Sequence, residues 1–217
     1  MPSCAAIIVA AGSSRRMGFD KLAAELLGRS VLRRSVDAFM AAEGISRVIV
    51  VTPEDRFGAL GKDFPKPLLR ADGGTERQHS VESGLAEVEE ALVAVHDGAR
   101  PLVLPEAIDA CIAAAAYHQA AALARQATET MKRADDAGFT VESVSRDKLW
   151  FMETPQIFDT ALLRRAYAAV REKGLIVTDE VSAVEAIGVP TKLVNSPAPN
   201  PKITVPADIM LAAALLR

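Results

Sequence analysis

The chain has 217 residues, of which 50% are hydrophobic and 24% charged, as is ordinary for a soluble globular protein. This composition excludes a disordered chain, a collagen and a small fold held together by disulfides. Lys and Arg number 25 against 28 Asp and Glu, a formal net charge of -3. Because no overall positive field results, we expect no nucleic acid partner, and any anion site must be local.

The cysteines and the N-terminus bear on the compartment. Cys4 and Cys111 lie far apart and form no CxxC pair, which argues against a thiolate metal site or a disulfide framework. Residues 1–8 carry no basic region ahead of their apolar run. No stretch reaches the roughly 18 apolar residues that a membrane span needs. We therefore expect a cytoplasmic protein with no membrane partner.

Short aliphatic runs alternate with segments of helical periodicity along most of the sequence. The runs predicted to be buried strands are 5–9, 47–51, 92–95 and 120–124. Ser30 is the predicted N-cap of a helix that Gly44 ends, with an apolar stripe at Leu32, Val36, Phe39 and Met40. A second helix is predicted after Gly73 and Gly74, and residues 107–124 indicate a helix followed by a strand.

The segment 128–156 interrupts this alternation. Asp135, Asp136, Ala137 and Gly138 separate two short extended runs, 130–133 and 140–144, and this pattern predicts a β-hairpin. Because an isolated hairpin cannot bury both of its faces, we expect it to project as an arm that packs against a second copy of the chain. Further helices are predicted over 160–173, from Thr178 or Asp179, and from Pro206.

The whole pattern predicts an α/β fold with a mostly parallel sheet and helices on both faces. We expect a single domain over residues 1–217, in which 128–156 form a β-hairpin dimerisation arm. The expected oligomer is a homodimer. No internal repeat and no clean linker divides the sequence.

A cationic, glycine-containing loop follows the first predicted strand. Small residues at 10–14 allow backbone N–H groups to approach a ligand closely, while Arg15, Arg16 and Lys21 concentrate positive charge at the end of that strand. This arrangement is typical of a polyphosphate site, although a solvated basic loop would have the same composition. Gly12 and Gly18 do not form the GxGxxG dinucleotide motif, and Asp63 after Gly61 and Lys62 excludes a P-loop.

The order of several motifs adds a resemblance. Residues 10–18 (AAGSSRRMG) with Lys21 resemble the signature loop of sugar nucleotidyltransferases. Residues 73–81 (GGTERQHSV) and 95–101 (VHDGARP) resemble motifs of the 2-C-methyl-D-erythritol 4-phosphate cytidylyltransferase family. Further matches follow in the family's order at 130–133, 154–156, 178–180 and 202–204. The resemblance therefore spans nearly the whole chain.

The resemblance implies a Rossmann-like nucleotidyltransferase fold and the transfer of CMP from CTP to 2-C-methyl-D-erythritol 4-phosphate, with release of pyrophosphate. It also implies Mg²⁺ as cofactor. Because the attacking phosphate oxygen is already an anion, such a reaction needs fixed cations and a metal more than it needs a general base. The sequence agrees, since no nucleophile–base pair stands out.

The resemblance also implies roles for individual residues. The catalytic cations would be Arg16 and Lys21. The residues that would bind CTP are Ala10, Ala11, Gly12, Ser13, Gly74, Thr75, Arg77 and Ser80. The residues that would bind the sugar phosphate are Asp97, Arg100, Thr130, Arg146, Thr154 and Lys202, with Asp97 also a candidate Mg²⁺ ligand and the hairpin residues reaching the neighbouring subunit's site. We expect His96 to be structural.

Departures from the family pattern keep alternatives open. The family usually has Pro before the lysine and Gln after it. In this chain Lys21 is preceded by Phe19 and Asp20 and followed by Leu22, a form that resembles the molybdenum-cofactor nucleotidyltransferases. Glu129 replaces the usual Asp. The acceptor could therefore be ribitol 5-phosphate or a molybdopterin, although the segments around Asp97, Thr154 and Lys202 disfavour the latter. A nucleotide-binding module without turnover is the alternative from another class.

Overall fold

A computed structural model describes residues 2–12 and 18–216. Its strands are β1 Cys4–Val9, β2 Glu25–Leu26, β3 Arg29–Ser30, β4 Ile45–Val51, β5 Leu68–Ala71, β6 Leu92–Asp97, β7 Ala120–Gln126, β8 Met131–Ala134, β9 Thr140–Val144, β10 Trp150–Asp159 and β11 Lys192–Asn195. Its helices are α1 Val31–Ala41, α2 Glu54–Gly58, α3 Arg77–Ala86, α4 Pro105–His118, α5 Thr160–Glu172, α6 Glu180–Glu185 and α7 Pro206–Leu215. None of these helices has both the length and the apolar character needed to cross a membrane.

A seven-stranded sheet lies at the centre of the described chain, in the order β11-β7-β10-β6-β1-β4-β5. β10 runs antiparallel to its neighbours β6 and β7, and the other pairs are parallel. The α/β fold with a mostly parallel sheet is thus confirmed. The ends of β1, β4 and β6 coincide, because Val9 is in register with both Val51 and Asp97.

Helices cover both faces of this sheet. Successive side chains of a strand point to opposite faces, so Ala6 and Ile8 of β1 pack into one core while Ala5 and Ile7 pack into another. The first core is completed by α1 and α4, and the second by α3, α5 and α6. This two-sided burial explains why the strands consist of uninterrupted apolar runs.

Local signals set the helix boundaries. The Ser30 hydroxyl accepts a hydrogen bond from the backbone N–H of Arg33 at 3.2 Å, which confirms the predicted N-cap of α1. The helix ends at Ala41, before the predicted stop at Gly44, whose N–H instead donates to Asp109 of α4. α6 begins after Asp179, whose carboxylate accepts from the N–H of Ser182 at 3.0 Å.

The predicted hairpin is present, with β8 and β9 forming a separate antiparallel pair. Its turn is held by Asp135, whose Oδ1 accepts from the N–H groups of Ala137 and Phe139, and Gly138 has a φ of 86°. The hairpin spans 131–144, whereas Trp150–Asp159 is a strand of the central sheet. The projecting part of the predicted arm 128–156 therefore ends before residue 150, and its role in dimerisation stays a prediction.

Candidate active site

The candidate site lies where β1 and β6 end side by side. Ala10 follows β1, and its N–H donates to the carbonyl of Val51 at 2.9 Å. Asp97 is the last residue of β6, and the N–H of Gly98 donates to the carbonyl of Val9 at 3.0 Å. The loop after β1 and the loop after β6 thus leave the sheet together at its carboxyl edge, which is where open α/β sheets bind ligands.

Gly73 and Gly74 lie in a third loop, between β5 and α3, which packs against the loop after β1. A Cβ on Gly73 would lie 2.3 Å from the Cβ of Ala11, so only glycine allows these two loops to pack this closely. The N–H of Gly74 donates to the Ser80 hydroxyl at 3.0 Å, and that hydroxyl lies 3.3 Å from the carbonyl oxygen of Glu76. Ser80 therefore shapes the loop that precedes α3 and places it beside Ala11.

Arg77, the first residue of α3, connects two carboxylates. Its Nη1 and Nη2 lie 2.6 and 3.0 Å from the two oxygens of Glu180, and its Nε donates to Asp97 at 3.2 Å. Glu180 has no exposed side-chain surface, and the Tyr167 hydroxyl donates to it at 2.8 Å. The pairing with Glu180 raises the pKa of Arg77 against the opposing effect of burial, so the guanidinium stays charged.

Asp97 is the centre of this charge cluster. Its Oδ2 accepts a hydrogen bond from Nζ of Lys202 at 2.7 Å and lies 4.0 Å from Nε of Arg100. Burial alone would raise the pKa of Asp97, but the charges of Arg77 and Lys202 outweigh it and hold that pKa well below its ordinary range. Asp97 is therefore an ionised carboxylate surrounded by three cations.

Thr154 and His96 fix the backbone beneath Asp97. The Thr154 hydroxyl accepts from the N–H of Asp97 at 3.1 Å and lies 2.9 Å from Nδ1 of His96. Nε2 of His96 lies 3.2 Å from the carbonyl oxygen of Arg100, so a neutral ring that accepts at Nδ1 and donates at Nε2 satisfies both contacts. Burial lowers the pKa of His96 to about 3, which keeps the ring neutral. These contacts agree with the structural role expected for His96.

A cavity of about 180 Å³ opens over this cluster. It is lined by Arg77, Asp97, Arg100, Met152, Glu153, Thr154, Gln156, Thr178, Asp179 and Lys202. Five of the predicted site residues are therefore brought together in one small, charged cavity. A wider cavity of about 760 Å³ adjoins it and shares Arg100, Met152, Glu153 and Lys202. Burial raises the pKa of Glu153, whose Oε1 lies 3.6 Å from Nε of Arg125.

Lys21 reaches the same edge of the sheet. Its Nζ donates to the carbonyl of Ile203 at 2.7 Å, and Ile203 directly follows Lys202. One short segment before α7 therefore carries Lys202 and anchors Lys21. Ser13, Arg15 and Arg16, which the sequence analysis singled out in the first loop, lie outside the described residues.

The remaining predicted residues lie elsewhere. Gly12 is exposed after Ala10 and Ala11, and the Thr75 hydroxyl lies 2.9 Å from Nδ1 of His79. Thr130 and Arg146 are exposed next to the hairpin and line neither cavity. Nη1 of Arg146 donates to the carbonyl of Thr128 at 2.6 Å. The structure thus does not bring these two residues to the cavity of their own chain.

The sequence interpretation missed three residues that build the site. Glu180 neutralises Arg77, and Gln156 accepts from the N–H groups of Glu180 and Val181 at 3.0 Å each. Asn200 donates to the carbonyl of Thr154 at 2.9 Å, and its own carbonyl accepts from Arg100 at 2.7 Å. Two of them stood in matched motifs, at 154–156 and 178–180, where their chemical type alone gave no reason to expect a buried contact.

A divalent cation fits this site only in company with a substrate. Over residues 2–12 and 18–216, no three or more His, Cys, Asp or Glu side chains are placed to hold a metal. Each oxygen of Asp97 accepts one bond from a cation and retains a second lone pair. Because Mg²⁺ is commonly held by one or two carboxylates together with substrate phosphates and waters, the single carboxylate is compatible with a cation that arrives with the nucleotide.

Comparison with known proteins gives one consistent result. The family model described as 2-C-methyl-D-erythritol 4-phosphate cytidylyltransferase matches residues 4–217. A curated relative of that name from Caldanaerobacter subterraneus is 40% identical, over 98% of both chains. The solved 4-diphosphocytidyl-2C-methyl-D-erythritol synthase of Anaerococcus prevotii superposes with a TM-score of 0.88 at 29% identity, covering 99% of this chain and 96% of the other. For the cytidylyltransferase of Thermus thermophilus the TM-score is 0.82 at 33% identity, with coverage of 99% and 98%.

Proposed function

The chain belongs to the 2-C-methyl-D-erythritol 4-phosphate cytidylyltransferase family, and from this premise we propose that it transfers CMP from CTP to 2-C-methyl-D-erythritol 4-phosphate. The products are 4-diphosphocytidyl-2-C-methyl-D-erythritol and pyrophosphate, and the reaction belongs to isoprenoid biosynthesis. The observation that carries the proposal is the cation cluster around Asp97, placed beside the loop after β1 at the carboxyl edge of the sheet.

The chemistry suits a site of fixed cations. A phosphate oxygen of the acceptor forms a bond to the α-phosphorus of CTP, and the bond from that phosphorus to the leaving pyrophosphate oxygen breaks. The nucleophile is already an anion, so the reaction needs no proton acceptor, and His96 is neutral with both ring nitrogens engaged. Two anions must approach each other, so preorganised positive charge supplies the main stabilisation. Lys21 and Arg16 are assigned this role at the α-phosphate.

The acceptor is assigned to the small cavity. Lys202 and Arg100 supply positive charge for its phosphate, while the Asp97 carboxylate and the Thr154 hydroxyl oxygen can accept hydrogen bonds from its hydroxyl groups. The loops around Ala11 and Gly74 are assigned to CTP, because their close packing leaves backbone groups at the edge of the sheet. Ala10, Gly12, Ser13, Thr75, Arg77 and Ser80 belong to the same assignment.

Enzymes of this family are nucleotidyltransferases that generally use a divalent cation, and we assign Mg²⁺ to this one. Asp97 would contribute its carboxylate, with phosphate oxygens of CTP completing the coordination. When bound, the metal neutralises charge on the phosphates and so favours attack by an anionic nucleophile.

The hairpin is assigned to a second subunit. Phe139 and Val141 at its end are 71% and 57% exposed, and such apolar side chains commonly mark a contact with a partner. Thr130 and Arg146 lie beside it without reaching their own chain's cavity, and a homodimer would bring them to the cavity of the neighbouring subunit. The cytoplasm is proposed as the compartment, since Cys4 and Cys111 are free and buried thiols.

The direct test is formation of the cytidylylated product from CTP, Mg²⁺ and 2-C-methyl-D-erythritol 4-phosphate, detected by mass spectrometry. Arg16→Ala and Lys21→Ala should each lower kcat by about 1000-fold, as loss of a transition-state cation does in other enzymes. Lys192→Ala, a change of an exposed lysine on β11, is the control and should leave kcat unchanged. Near-normal turnover in either site variant would remove that residue from the catalytic role.

A further inference from the structure

Arg56 of α2 contacts both ends of the loop that follows β1, from Ala10 to Asp20. Its Nη1 donates to the carbonyl of Ala10, the first residue after β1. Its Nε and Nη2 lie 3.0 and 2.9 Å from Oδ2 of Asp20. One guanidinium therefore bridges Ala10, at the start of the loop, and Asp20, the residue immediately before Lys21.

Asp20 in turn organises the turn that carries Lys21. Its Oδ1 accepts from the N–H of Leu22 at 3.0 Å, and its carbonyl accepts from the N–H of Ala24 at 3.1 Å. The backbone of Lys21 is thus held between two bonded neighbours, while its Nζ donates to Ile203. Removing Arg56 would release Asp20 from the end of β1 and so loosen the turn that carries Lys21.

The contact set requires an arginine. Three donors of one planar group serve a backbone carbonyl and a carboxylate at the same time, which a lysine ammonium with its compact charge cannot reproduce in the same geometry. The Arg56 side chain is 15% exposed, and its contact with the carbonyl of Ala10 is part-buried, whereas Asp20 is 38% exposed. Because Asp20 neutralises its charge, the contribution of Arg56 is to hold position more than to add positive potential at the phosphates.

We propose that Arg56 is a positioning residue for nucleotidyl transfer, which fixes Asp20 to Ala10 at the end of β1 and so places Lys21. The proposal rests on the proposed function, and Arg56 is not among the catalytic and binding residues assigned there. It predicts that the effect of Arg56 on the reaction is transmitted through Lys21.

The chain offers a matched control in Arg33 of α1. Arg33 also donates to one carboxylate and one backbone carbonyl, at 2.7 Å to Asp37 and 2.7 Å to Leu60, and its side chain is 26% exposed. Because the Arg33 guanidinium also lies 4.3 Å over the ring of Phe64, Arg33→Gln should cost at least as much thermal stability as Arg56→Gln. Arg56→Gln should lower kcat about 10-fold or more while the KM for the acceptor changes less than about 2-fold, whereas Arg33→Gln should leave kcat unchanged.

The decisive experiment repeats Arg56→Gln in the Lys21→Ala background. If Arg56 acts through Lys21, the second substitution should change the residual kcat by less than about 2-fold, because coupled residues are not additive. An equal loss in both backgrounds, or a loss matched by Arg33→Gln, would overturn the proposal. Asp20→Asn should reproduce the effect of Arg56→Gln, since it removes the charge that Arg56 contacts but keeps an oxygen for the N–H of Leu22.

A failure of the proposed function can be distinguished from a failure of the proposal for Arg56. A wild-type protein that releases no pyrophosphate with any acceptor would refute the proposed function. The shift in melting temperature on CTP titration would then test Arg56 alone. The proposal predicts a smaller shift for Arg56→Gln than for wild type and Arg33→Gln. Equal shifts in all three proteins would refute it.

Discussion

Arg77 and Glu180 lie 103 residues apart in the chain and form a two-bond ion pair directly beneath the candidate active site. This pair occupies both terminal nitrogens of Arg77 and leaves Nε to donate to Asp97. Arg77 thereby connects the start of α3 directly to the start of α6 and to Asp97, the residue that ends β6. In this arrangement Arg77 holds Asp97 in place, and its predicted contact with CTP stays a prediction.

The ion pair should matter for stability. Glu180→Gln removes the negative charge that compensates a guanidinium in a shielded site, so it should lower the free energy of unfolding by about 3 kcal/mol. Glu82→Gln is the control, because Glu82 pairs with Arg171 whose side chain is 70% exposed, and it should cost no more than about 1 kcal/mol. Urea unfolding of both variants checks the difference. Equal losses of unfolding free energy in the two variants would contradict a larger contribution of the shielded Arg77–Glu180 pair to stability.

His96 should make stability depend on pH. Its folded pKa of about 3 lies below the ordinary value of 6.5, so between these values the unfolded chain binds a proton that the folded chain does not. Stability from this source is therefore full above about pH 6.5 and is lost as the pH falls. From pH 7 to pH 5 wild type should lose about 2 kcal/mol more than His96→Gln does. Parallel unfolding curves for the two proteins over this range would contradict a neutral, buried His96.

Lys202 should act on the acceptor. Its ammonium contacts Asp97 at the wall of the small cavity, where we place the acceptor phosphate. Lys202→Ala should raise the KM for 2-C-methyl-D-erythritol 4-phosphate by about 10-fold or more, since a hydrogen bond to a charged group contributes about 1.5–3 kcal/mol. The KM for CTP should change much less. Lys192→Ala serves again as the control, and an unchanged acceptor KM in Lys202→Ala would move the phosphate elsewhere.

The shared site can be tested by mixing subunits. Arg146→Ala should chiefly raise the acceptor KM, and Lys21→Ala should abolish most turnover. In a hybrid dimer, the site with an intact Lys21 receives the intact hairpin of its Lys21→Ala partner, so one functional site per dimer forms. Pyrophosphate release by co-purified hybrids at low acceptor concentration should therefore exceed that of either variant alone. Activity no higher than the sum of the two variants, or a monomer at micromolar concentration, would contradict the hairpin assignment.

The sequence predicted the fold best where apolar periodicity is long. β1, β4, β6 and β7 are buried runs, and α1 and α5 have clear apolar stripes, so each lies close to its predicted position. β5 and β11 have only four residues each, most of them partly exposed, and they carry too little periodicity to be recognised. The predicted hairpin arm includes part of β10, because the antiparallel place of this strand between β6 and β7 is a property of the sheet and leaves no local signal in the sequence.

The residues of the candidate site also divide into those that a local sequence pattern identifies and those that it does not. Lys21, Asp97 and Lys202 could be assigned because they stand in motifs at predicted strand ends or near a predicted helix start. Glu180 and Arg56 could not, since their importance lies in contacts with residues far away in sequence. A carboxylate at the start of a helix and an arginine after a strand are ordinary surface patterns, and only the folded chain shows which groups they contact.

The measurement that tests the account most directly is pyrophosphate release from CTP and Mg²⁺ with two acceptors offered in parallel, 2-C-methyl-D-erythritol 4-phosphate and D-ribitol 5-phosphate. The proposed function predicts a kcat/KM for the first acceptor at least about 100-fold above that for the second, equivalent to about 2.7 kcal/mol of discrimination. Release with ribitol phosphate alone would assign the same cations to a different acceptor. Release with neither would contradict the proposed function and favour a domain that binds nucleotide without turnover.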